Sequence, residues 1–287
     1  MLIERAPAKL NLTLDVVGRR ADGYHEIRTV MQAVDLCDEV ALSRTDGGGI
    51  RLSLSDPSLP ADGSNSCHKA AMCFLEATRL PCPGVSIHVT KRIPQQAGLA
   101  GGSADAAAVL RGLNRLFGAG LSARALCEIG ARVGADVPFC IEGGAALATG
   151  IGEQLAPLPP LRDVWIVIAK PPVGVSTQAA YAAIDTTAMP LTRPAETRMI
   201  EALGKGDPAL AGSLLCNVFE QVLSLPAVSE IRREMAAFSP LGSAMTGSGS
   251  AVFSLFASEI AAQNCATALA ARRQTFVCCP LPRSPLS

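Results

Sequence analysis

The chain has 287 residues, of which 49% are hydrophobic, and its 25 basic and 25 acidic residues give a formal net charge of zero. This length exceeds that of one small domain, and the composition supplies a large apolar core. Because no run of like charge occurs, the sequence excludes the electrostatic footprint of a nucleic-acid-binding or membrane-surface protein and favours a small-molecule partner.

Cysteine usage and the N-terminal charges predict a cytoplasmic protein. Ten cysteines are scattered through apolar segments without a C-x-x-C pair, which is typical of buried thiols in a reducing compartment. Cys278 and Cys279 are adjacent, yet no His or Cys lies nearby in the sequence to complete a metal site. Glu4, Arg5 and Lys9 interrupt the region where a signal peptide would be apolar, so we expect a soluble, uncleaved chain.

In the first half of the chain, β-strand patterns precede helical ones. Alternating polar and apolar residues over 1–55 predict an antiparallel β region. Ser64 and Asn65 are candidate caps of a helix, and the strand "VSIHVTK" follows it. A second helix is predicted to begin near Ser103, and "SARALCEIGARVG" predicts a third. Glycines in "ADVPFCIEGGAALATGIGE" indicate strands and turns.

A cluster of prolines in 154–163 predicts a domain boundary, which we place after residue 155. Beyond it, "VWIVIAK" predicts a buried strand and Ser176 caps a helix, with further helical pattern in "PALAGSLLCNVFEQVL" and "PAVSEIRREMAAF". The segment "GSAMTGSGSAVFSLF" predicts two strands joined at 247–249, and a helix and the strand "TFVCC" follow. We expect the tail "PLPRSPLS" to be unstructured.

The stretch "RIPQQAGLAGGSADAAAVLRGLN" places glycines directly before a helix. It lacks the lysine of a P-loop and the spacing and acidic residue of a dinucleotide fingerprint. Glycines and a helix N-terminus still supply an anion site, with Ser103 as a further hydroxyl. Alternatively, the glycines only allow close packing and Ser103 only caps the helix. A second turn, "TGSGS", is either an ordinary hairpin or, with the first, a clasp for a polyphosphate.

Three charged or amide residues are candidates for chemistry. Lys9 and Asn11 fall on one face of an extended strand, where they either hold a phosphate or keep an exposed face soluble. Asp136 lies among apolar residues in "RVGADVPFC", where it is either a general base or a turn residue.

Several of these motifs together resemble the GHMP kinases, the superfamily of galactose, homoserine, mevalonate and phosphomevalonate kinases. "PQQAGLAGGS" resembles their central motif and "TGSGSAVF" their third. "PAKLNLTLDVVGRRADGYHEI" and "GADVPF" are similar to the branch that phosphorylates a cytidine-diphosphate-linked methylerythritol in non-mevalonate isoprenoid synthesis. The resemblance covers Ala6 to about Phe256. It implies an α/β (α+β) fold with a ribosomal-protein-S5-domain-2-like N-terminal domain over 1–155 and a ferredoxin-like domain over 156–287.

The resemblance also implies the chemistry and its residues. It implies transfer of the ATP γ-phosphoryl group, with Mg²⁺, to the 2-hydroxyl of the cytidyl substrate, with Asp136 as base and Lys9 holding that carboxylate. The implied ATP-binding residues, with Ser103 also the candidate metal ligand, are Asn65, Lys91, Pro94, Gly98, Leu99, Ala100, Gly101, Gly102 and Ser103. The implied acceptor-binding residues are Asn11, Tyr24, His25, Thr177, Tyr181, Gly247, Ser248 and Gly249. Among these, Tyr24 and Tyr181 would stack on the two faces of the cytosine and His25 would hydrogen-bond it.

The loop departs from the family pattern at Ala97, Ala100 and Ala104, where the family often has further glycines and a second serine. Alanine has little room at positive φ, so the loop would be strained or reshaped if Ala97 or Ala100 needs that conformation. Two alternative functions are another GHMP kinase with a mevalonate-like or sugar acceptor, and a non-catalytic ligand- or RNA-binding module. "RRADGYH" argues against the first, while neutral charge, Lys9 and Asp136 argue against the second. The sequence leaves the oligomeric state open.

Overall fold

A computed structural model describes residues 1–80 and 84–283 of the chain. Two β-sheets and the helices around them form two cores. In chain order the elements are β1 (Leu2–Arg19), β2 (His25–Arg44), β3 (Ile50–Leu54), α1 (Ser66–Thr78), β4 (Val85–Thr90), α2 (Gly101–Phe117), α3 (Ala123–Ala131), α4 (Val137–Glu142), β5 (Ala145–Thr149), β6 (Gln154–Leu158), β7 (Trp165–Lys170), α5 (Thr177–Thr186), α6 (Glu196–Lys205), α7 (Pro208–Ser213), β8 (Cys216–Asn217), α8 (Phe219–Val222), α9 (Pro226–Ala236), β9 (Gly242–Met245), β10 (Val252–Phe256), α10 (Glu259–Ala270) and β11 (Gln274–Cys278).

The first sheet is built on the long antiparallel pair β1 and β2, as the alternating pattern of 1–55 predicts. Its strand order is β3-β4-β2-β1-β8, and β5 pairs with both β2 and β6. Helix α2 packs on this sheet, and its residues 104–113 are all buried. Small side chains permit this approach, since a Cβ on Gly112 would lie 2.5 Å from Leu42 Cδ1. The alanine-rich segment is therefore the central core helix of the first half.

The second sheet has the order β11-β7-β10-β9 and is antiparallel throughout. Numbered within this half, the strand order is 4-1-3-2, with helices after the first and third strands, which is the ferredoxin-like arrangement that the resemblance implied. All but one of the residues of "WIVIAK" in β7 are buried, as the apolar run predicts. The second half thus has the strand arrangement that the resemblance implied.

Three local expectations were wrong. Val137–Glu142 is a helix and not strand and turn, because Pro138 at its first turn needs no hydrogen-bonded N–H there. The helical pattern of "PALAGSLLCNVFEQVL" is broken by β8, which pairs in parallel with β1 at Thr13 and Leu14. Pairing with β1 thus overrides the helical propensity of this segment.

The third error concerns the tail. Pro280 bridges to Val34 and Arg283 to Gly143, and the Leu281 N–H donates to the Ala33 carbonyl at 2.8 Å. These contacts fasten residues 280–283 to the first sheet, whereas 284–287 lie outside the described residues. The proposed boundary after residue 155 falls inside β6, a strand of the first sheet.

Nine cysteines fall within the described residues, all as free thiols, and Cys82 lies outside them. Burial raises the pKa of the Cys278 thiol, and it also raises that of Cys279. Across the part of the chain that the structure describes, no helix combines the length and the apolarity needed to cross a membrane.

Candidate active site

A cleft of about 1370 Å³ runs between the two halves of the molecule. Every residue to which the sequence analysis gives a site role lines it, although these residues are spread from Lys9 to Gly249. The cleft has two ends of different construction. One end holds Lys9, Asp136 and both glycine turns, and the other holds Tyr24, His25 and Tyr181.

The Lys9 side chain is held at a fixed place by Asn11. Lys9 is 4% exposed and Asn11 is 1% exposed, and Lys9 Nζ donates to Asn11 Oδ1 at 2.7 Å. Asn11 Oδ1 also accepts from the Gly247 N–H at 2.9 Å, and its Nδ2 donates to Thr29 Oγ1 at 2.8 Å. The two side chains therefore belong to a buried network, and the alternative that they only keep an exposed face soluble is wrong.

Asp136 lies in the turn directly before α4. Its backbone therefore matches the predicted alternative of a turn residue. Its side chain makes no capping bond to α4 and is 32% exposed. Asp136 Oδ2 is 3.8 Å from Lys9 Nζ. A buried ammonium thus faces a half-exposed carboxylate, which leaves the carboxylate an oxygen for a ligand in the cleft.

The two glycine turns touch one another. A Cβ on Gly98 would lie 2.0 Å from the Thr246 carbonyl oxygen, and a Cβ on Gly247 would lie 2.9 Å from Gly98 Cα. The Thr246 hydroxyl donates to the Gly98 carbonyl at 3.2 Å and accepts from the Asn11 N–H at 3.1 Å. Glycine is required at both positions because only a backbone without Cβ allows this approach. The turn "TGSGS" is therefore a hairpin that also closes against the first loop.

The first glycine turn leads straight into α2, which begins two residues before the predicted start. Ala100 caps the helix in the left-handed region at φ 57°, and Gly98 is there too at φ 74°. Ala97 does not adopt positive φ, so of the two alanines only Ala100 carries the conformational cost. Ser103 is the third helical residue and not the cap, and its half-buried side chain lines the cleft.

Lys91 is buried beneath this loop in an ion-pair triad. Its Nζ pairs with Asp38, which is fully buried, and lies 2.5 Å from Asp105 Oδ2. Burial, with the nearby Asp38, raises the pKa of Asp105 to about 7, against the lowering effect of Lys91. The N–H groups of Arg92 and Ile93 also donate to Asp38. The triad thereby fixes the segment that enters the loop.

Asn65 performs a comparable anchoring function at the neighbouring helix. Its Oδ1 caps α1 by accepting from the Cys67 N–H at 2.8 Å, as the sequence predicts, and its Nδ2 donates to the Pro60 carbonyl at 2.7 Å. Next to it, the Ser66 hydroxyl donates to the Gly102 carbonyl at 2.8 Å. The α1 N-terminus is thus tied to the first turn of α2.

At the other end of the cleft, His25 and Tyr181 lie against each other. Their rings stack with centroids 4.5 Å apart and planes 16° from parallel, and the edge of Phe219 meets Tyr181 at 5.1 Å. Burial raises the pKa of Tyr181 to about 12. Tyr24 is 61% exposed. The His25 ring therefore covers one face of Tyr181, and the stacking of Tyr24 and Tyr181 on a cytosine stays a prediction.

The third motif reaches this end through Ser248. Its hydroxyl lies 3.2 Å from the Thr177 hydroxyl at the start of α5. Thr177 is exposed and Ser248 is half-buried. Helix α5 and the turn between β9 and β10 thus contribute two neighbouring hydroxyls to the cleft wall.

Family models match both halves of the chain. The GHMP kinases N terminal domain matches residues 65–144, and the GHMP kinases C terminal domain matches residues 199–273. A 4-diphosphocytidyl-2-C-methyl-D-erythritol kinase from Caldicellulosiruptor saccharolyticus is 46% identical over 90% of this chain and 89% of its own length. One from Carboxydothermus hydrogenoformans is 45% identical over 87% of this chain and 86% of its own. The chain belongs to this kinase family.

Solved structures agree with that membership. A crystal structure of a 4-(cytidine 5'-diphospho)-2C-methyl-D-erythritol kinase matches with a TM-score of 0.81 and 35% identity, over 96% of this chain and 98% of that one. Homoserine kinase from Cytophaga hutchinsonii matches with a TM-score of 0.77 at 22% identity, over 98% of this chain and 94% of that one, and shows the shared fold alone. This GHMP family member is thus a kinase.

Residues that the motifs did not indicate complete the site. Thr29 holds Asn11, Asp38 and Asp105 hold Lys91, and Asp185 contacts His25. Asp38 and Thr29 both carry a polar side chain at a buried strand position, and that mismatch with the apolar pattern is the signal that finds them. Asp185 stands at the polar end of an ordinary helix and carries no comparable signal.

Proposed function

We propose that this protein transfers the γ-phosphoryl group of ATP to the 2-hydroxyl of 4-diphosphocytidyl-2-C-methyl-D-erythritol, giving the 2-phosphate and ADP. This step belongs to the non-mevalonate synthesis of isoprenoid precursors. The observation that carries the proposal is the two-ended cleft, in which a lysine–carboxylate pair beside two glycine turns and a His–Tyr cluster line one continuous space. Phosphoryl transfer needs positioned charge more than covalent help from the protein, and the first end supplies it.

In this proposal Asp136 is the general base. Its carboxylate takes the proton of the acceptor hydroxyl as that oxygen forms the new bond to the γ-phosphorus, while the bond to the β,γ-bridging oxygen breaks and ADP leaves. Lys9 lies 3.8 Å away, where it orients the carboxylate and stabilises the negative charge that develops on the phosphoryl oxygens. Asn11 holds Lys9 in place beside the acceptor.

The ATP phosphates lie along residues 98–103 in this proposal. Backbone N–H groups at the start of α2, glycines without side chains and the positive end of the helix dipole favour a polyphosphate there. Mg²⁺ takes oxygen ligands, is held by one or two protein groups together with substrate phosphates, and neutralises charge when bound. The Ser103 hydroxyl in the cleft fits that donor set and would hold it.

Adenosine lies beside Asn65, Lys91, Pro94 and Leu99, which line the cleft wall next to this loop. The polar groups of Asn65 and Lys91 are already bonded within the protein. We therefore expect both to shape this wall and to add little hydrogen bonding of their own to the base.

The cytidyl group lies at the other end. Tyr24 is exposed and available to stack on the base, and His25 hydrogen-bonds it. Thr177 and Tyr181 on α5, with Gly247, Ser248 and Gly249, complete the wall. A mevalonate-like or sugar acceptor would make no use of this cluster, and a non-catalytic module would have no need of the Lys9–Asp136 pair.

A coupled assay of ADP release tests the function. Purified protein with ATP and Mg²⁺ is given the cytidyl substrate, mevalonate or galactose in parallel reactions. We expect turnover with the cytidyl substrate and rates at background with the other two. Absence of turnover with the cytidyl substrate by a protein whose circular dichroism shows it folded would refute the proposal, and faster turnover of mevalonate or galactose would favour the other GHMP activity.

A further inference from the structure

The imidazole of His25 is held by a carboxylate to which neither the motifs nor the proposed reaction assigns a function. His25 Nε2 lies 2.7 Å from Asp185 Oδ1, and Asp185 Oδ2 lies 3.4 Å from Arg19 Nη1. The His25 side chain is 10% exposed, Asp185 is 31% exposed, and Tyr181 covers one face of the imidazole ring. A ring held by a hydrogen bond to a carboxylate and by a stacked neighbour has one orientation in the cleft.

This contact determines which ring nitrogen carries the proton. The hydrogen bond from His25 lowers the pKa of the Asp185 carboxyl, so Asp185 is ionised at neutral pH and can only accept a hydrogen bond. Nε2 must therefore be the donor. In the neutral imidazole the other nitrogen, Nδ1, is then an acceptor. Within the described residues, the His25 side chain makes no hydrogen bond except the one to Asp185.

An acceptor at this place selects for a donor on the ligand. Cytosine carries an exocyclic amine, which donates, where uracil carries a carbonyl oxygen, which accepts. In a neutral His25 with its proton on Nε2, Nδ1 accepts a hydrogen bond from the cytosine amine. With uracil, the lone pair of Nδ1 would face the lone pairs of the carbonyl oxygen, and no hydrogen bond would form. The opposite tautomer would reverse that preference.

We propose that Asp185 is a positioning residue that fixes the tautomer of His25 and thereby makes the cleft select a base with an exocyclic amine. The inference rests on the proposed function, which places the cytidyl group beside His25. Asp185 contacts His25 at the acceptor end of the cleft, so we expect its effect in acceptor recognition. One well-placed base contact discriminates by about 1–3 kcal/mol, or roughly 5- to 150-fold.

The first test observes the tautomer without any substrate. Nitrogen NMR of the His25 ring in the free protein, recorded at the alkaline end of a pH titration, distinguishes a proton on Nε2 from one on Nδ1. We expect Nε2–H in the natural protein. In Asp185→Asn the amide can donate to Nε2, and we expect a shift toward Nδ1–H. A predominant Nδ1–H form in the natural protein would overturn the inference, whatever the enzyme's activity.

The second test compares the cytidyl substrate with its uridyl analogue. We expect Asp185→Asn to raise KM for the cytidyl substrate roughly tenfold and to lower the cytidyl-to-uridyl ratio of kcat/KM by roughly 5- to 150-fold, with KM for ATP unchanged. Glu26→Gln is the matched control, because it makes the same carboxylate-to-amide change one residue from His25, on the opposite face of β2. The control should keep the natural ratio.

The two tests separate the inference from the function on which it rests. Failure of the natural protein to turn over the cytidyl substrate refutes the proposed function and leaves the tautomer measurement standing. A cytidyl-to-uridyl ratio within twofold of the natural value in Asp185→Asn, with normal turnover, refutes the positioning by Asp185. If Asp185→Asn folds poorly, the tautomer of the natural protein alone decides.

Discussion

The two ends of the cleft are built in opposite ways. At the transfer end, Lys9 and Asn11 are almost completely buried, and Thr246 is fully buried. At the acceptor end, Tyr24 is 61% exposed and the Asp185 side chain is 31% exposed. A buried network fixes a charge to within a fraction of an ångström, because each polar group that loses its partner costs free energy. Exposed side chains leave room for a large ligand to enter.

This contrast separates stability from selectivity. Substitutions at the transfer end should lower both the free energy of unfolding and turnover, whereas those at the acceptor end should change substrate choice with little effect on folding. Asp136 is the informative exception, since it belongs to the transfer end but is half-exposed.

Asp136→Asn should lower kcat by roughly 10²- to 10⁴-fold while binding of ATP and the melting temperature stay near their natural values. The amide keeps the shape of the side chain and cannot take a proton. The measurement is steady-state kinetics together with calorimetric binding of a non-hydrolysable ATP analogue. Near-normal kcat would mean that Asp136 is only a turn residue, and the transfer end would then lose its base.

Gly98→Ala should destabilise the protein by about 2–4 kcal/mol, because the new Cβ would meet the Thr246 carbonyl at 2.0 Å and the residue sits at positive φ. Urea unfolding of the natural protein and the variant measures this loss in the free energy of unfolding. Gly206→Ala is the matched control, since Gly206 also has a positive φ, of 64°, but a Cβ there would have no atom of the described residues within 4 Å. Equal losses in the two variants would show that contact between the glycine turns contributes nothing.

Asp105→Asn should change the pH dependence of stability. The pKa of Asp105 in the folded protein, about 7, lies above the ordinary value for Asp. The contribution of this carboxyl to the free energy of unfolding is therefore fully present below pH ~4 and is lost as pH rises through 7. In Asp105→Asn the decrease in the free energy of unfolding between pH 4.5 and 8 should be smaller by about 1–3 kcal/mol. The check is chemical unfolding across that range.

Asp62→Asn provides the control for that experiment. Asp62 is an exposed carboxyl whose pKa is lowered by hydrogen bonds from Ser64, so its titration has the opposite sign. Replacing Asp62 should leave the fall between pH 4.5 and 8 in place. An unchanged pH profile in Asp105→Asn would mean that the triad holds its charges throughout.

Ala100→Gly should stabilise the protein by about 0.5–1 kcal/mol, since Ala100 occupies the left-handed region at φ 57° and glycine adopts it without strain. Ala97→Gly is the control: Ala97 is 2% exposed and not at positive φ, so losing its methyl group should destabilise by about 1 kcal/mol. Thermal unfolding of both variants, with and without ATP, measures the difference. Stabilisation by both would show that the loop is strained beyond Ala100.

Sequence patterns predict the β-rich start, the α2 core helix and the strands β7, β9, β10 and β11 of the second half, because each has a strong local pattern. The ferredoxin-like order of those strands came from the family resemblance. The patterns miss α4, where glycines around a short apolar run hide a six-residue helix. They also miss β8 and the tail bridges, which exist only because the first sheet has edges for them to pair with. Pairing between distant segments leaves no local period.

The sequence by itself determined the motifs that line the cleft: the lysine–asparagine strand, the two glycine turns and "RRADGYH". Only the tertiary structure decided how they are held. Asn11 meets Gly247 across 236 positions, and His25 meets Asp185 across 160. Such contacts follow from how the two sheets pack, since a side chain's partner in space depends on every element between them.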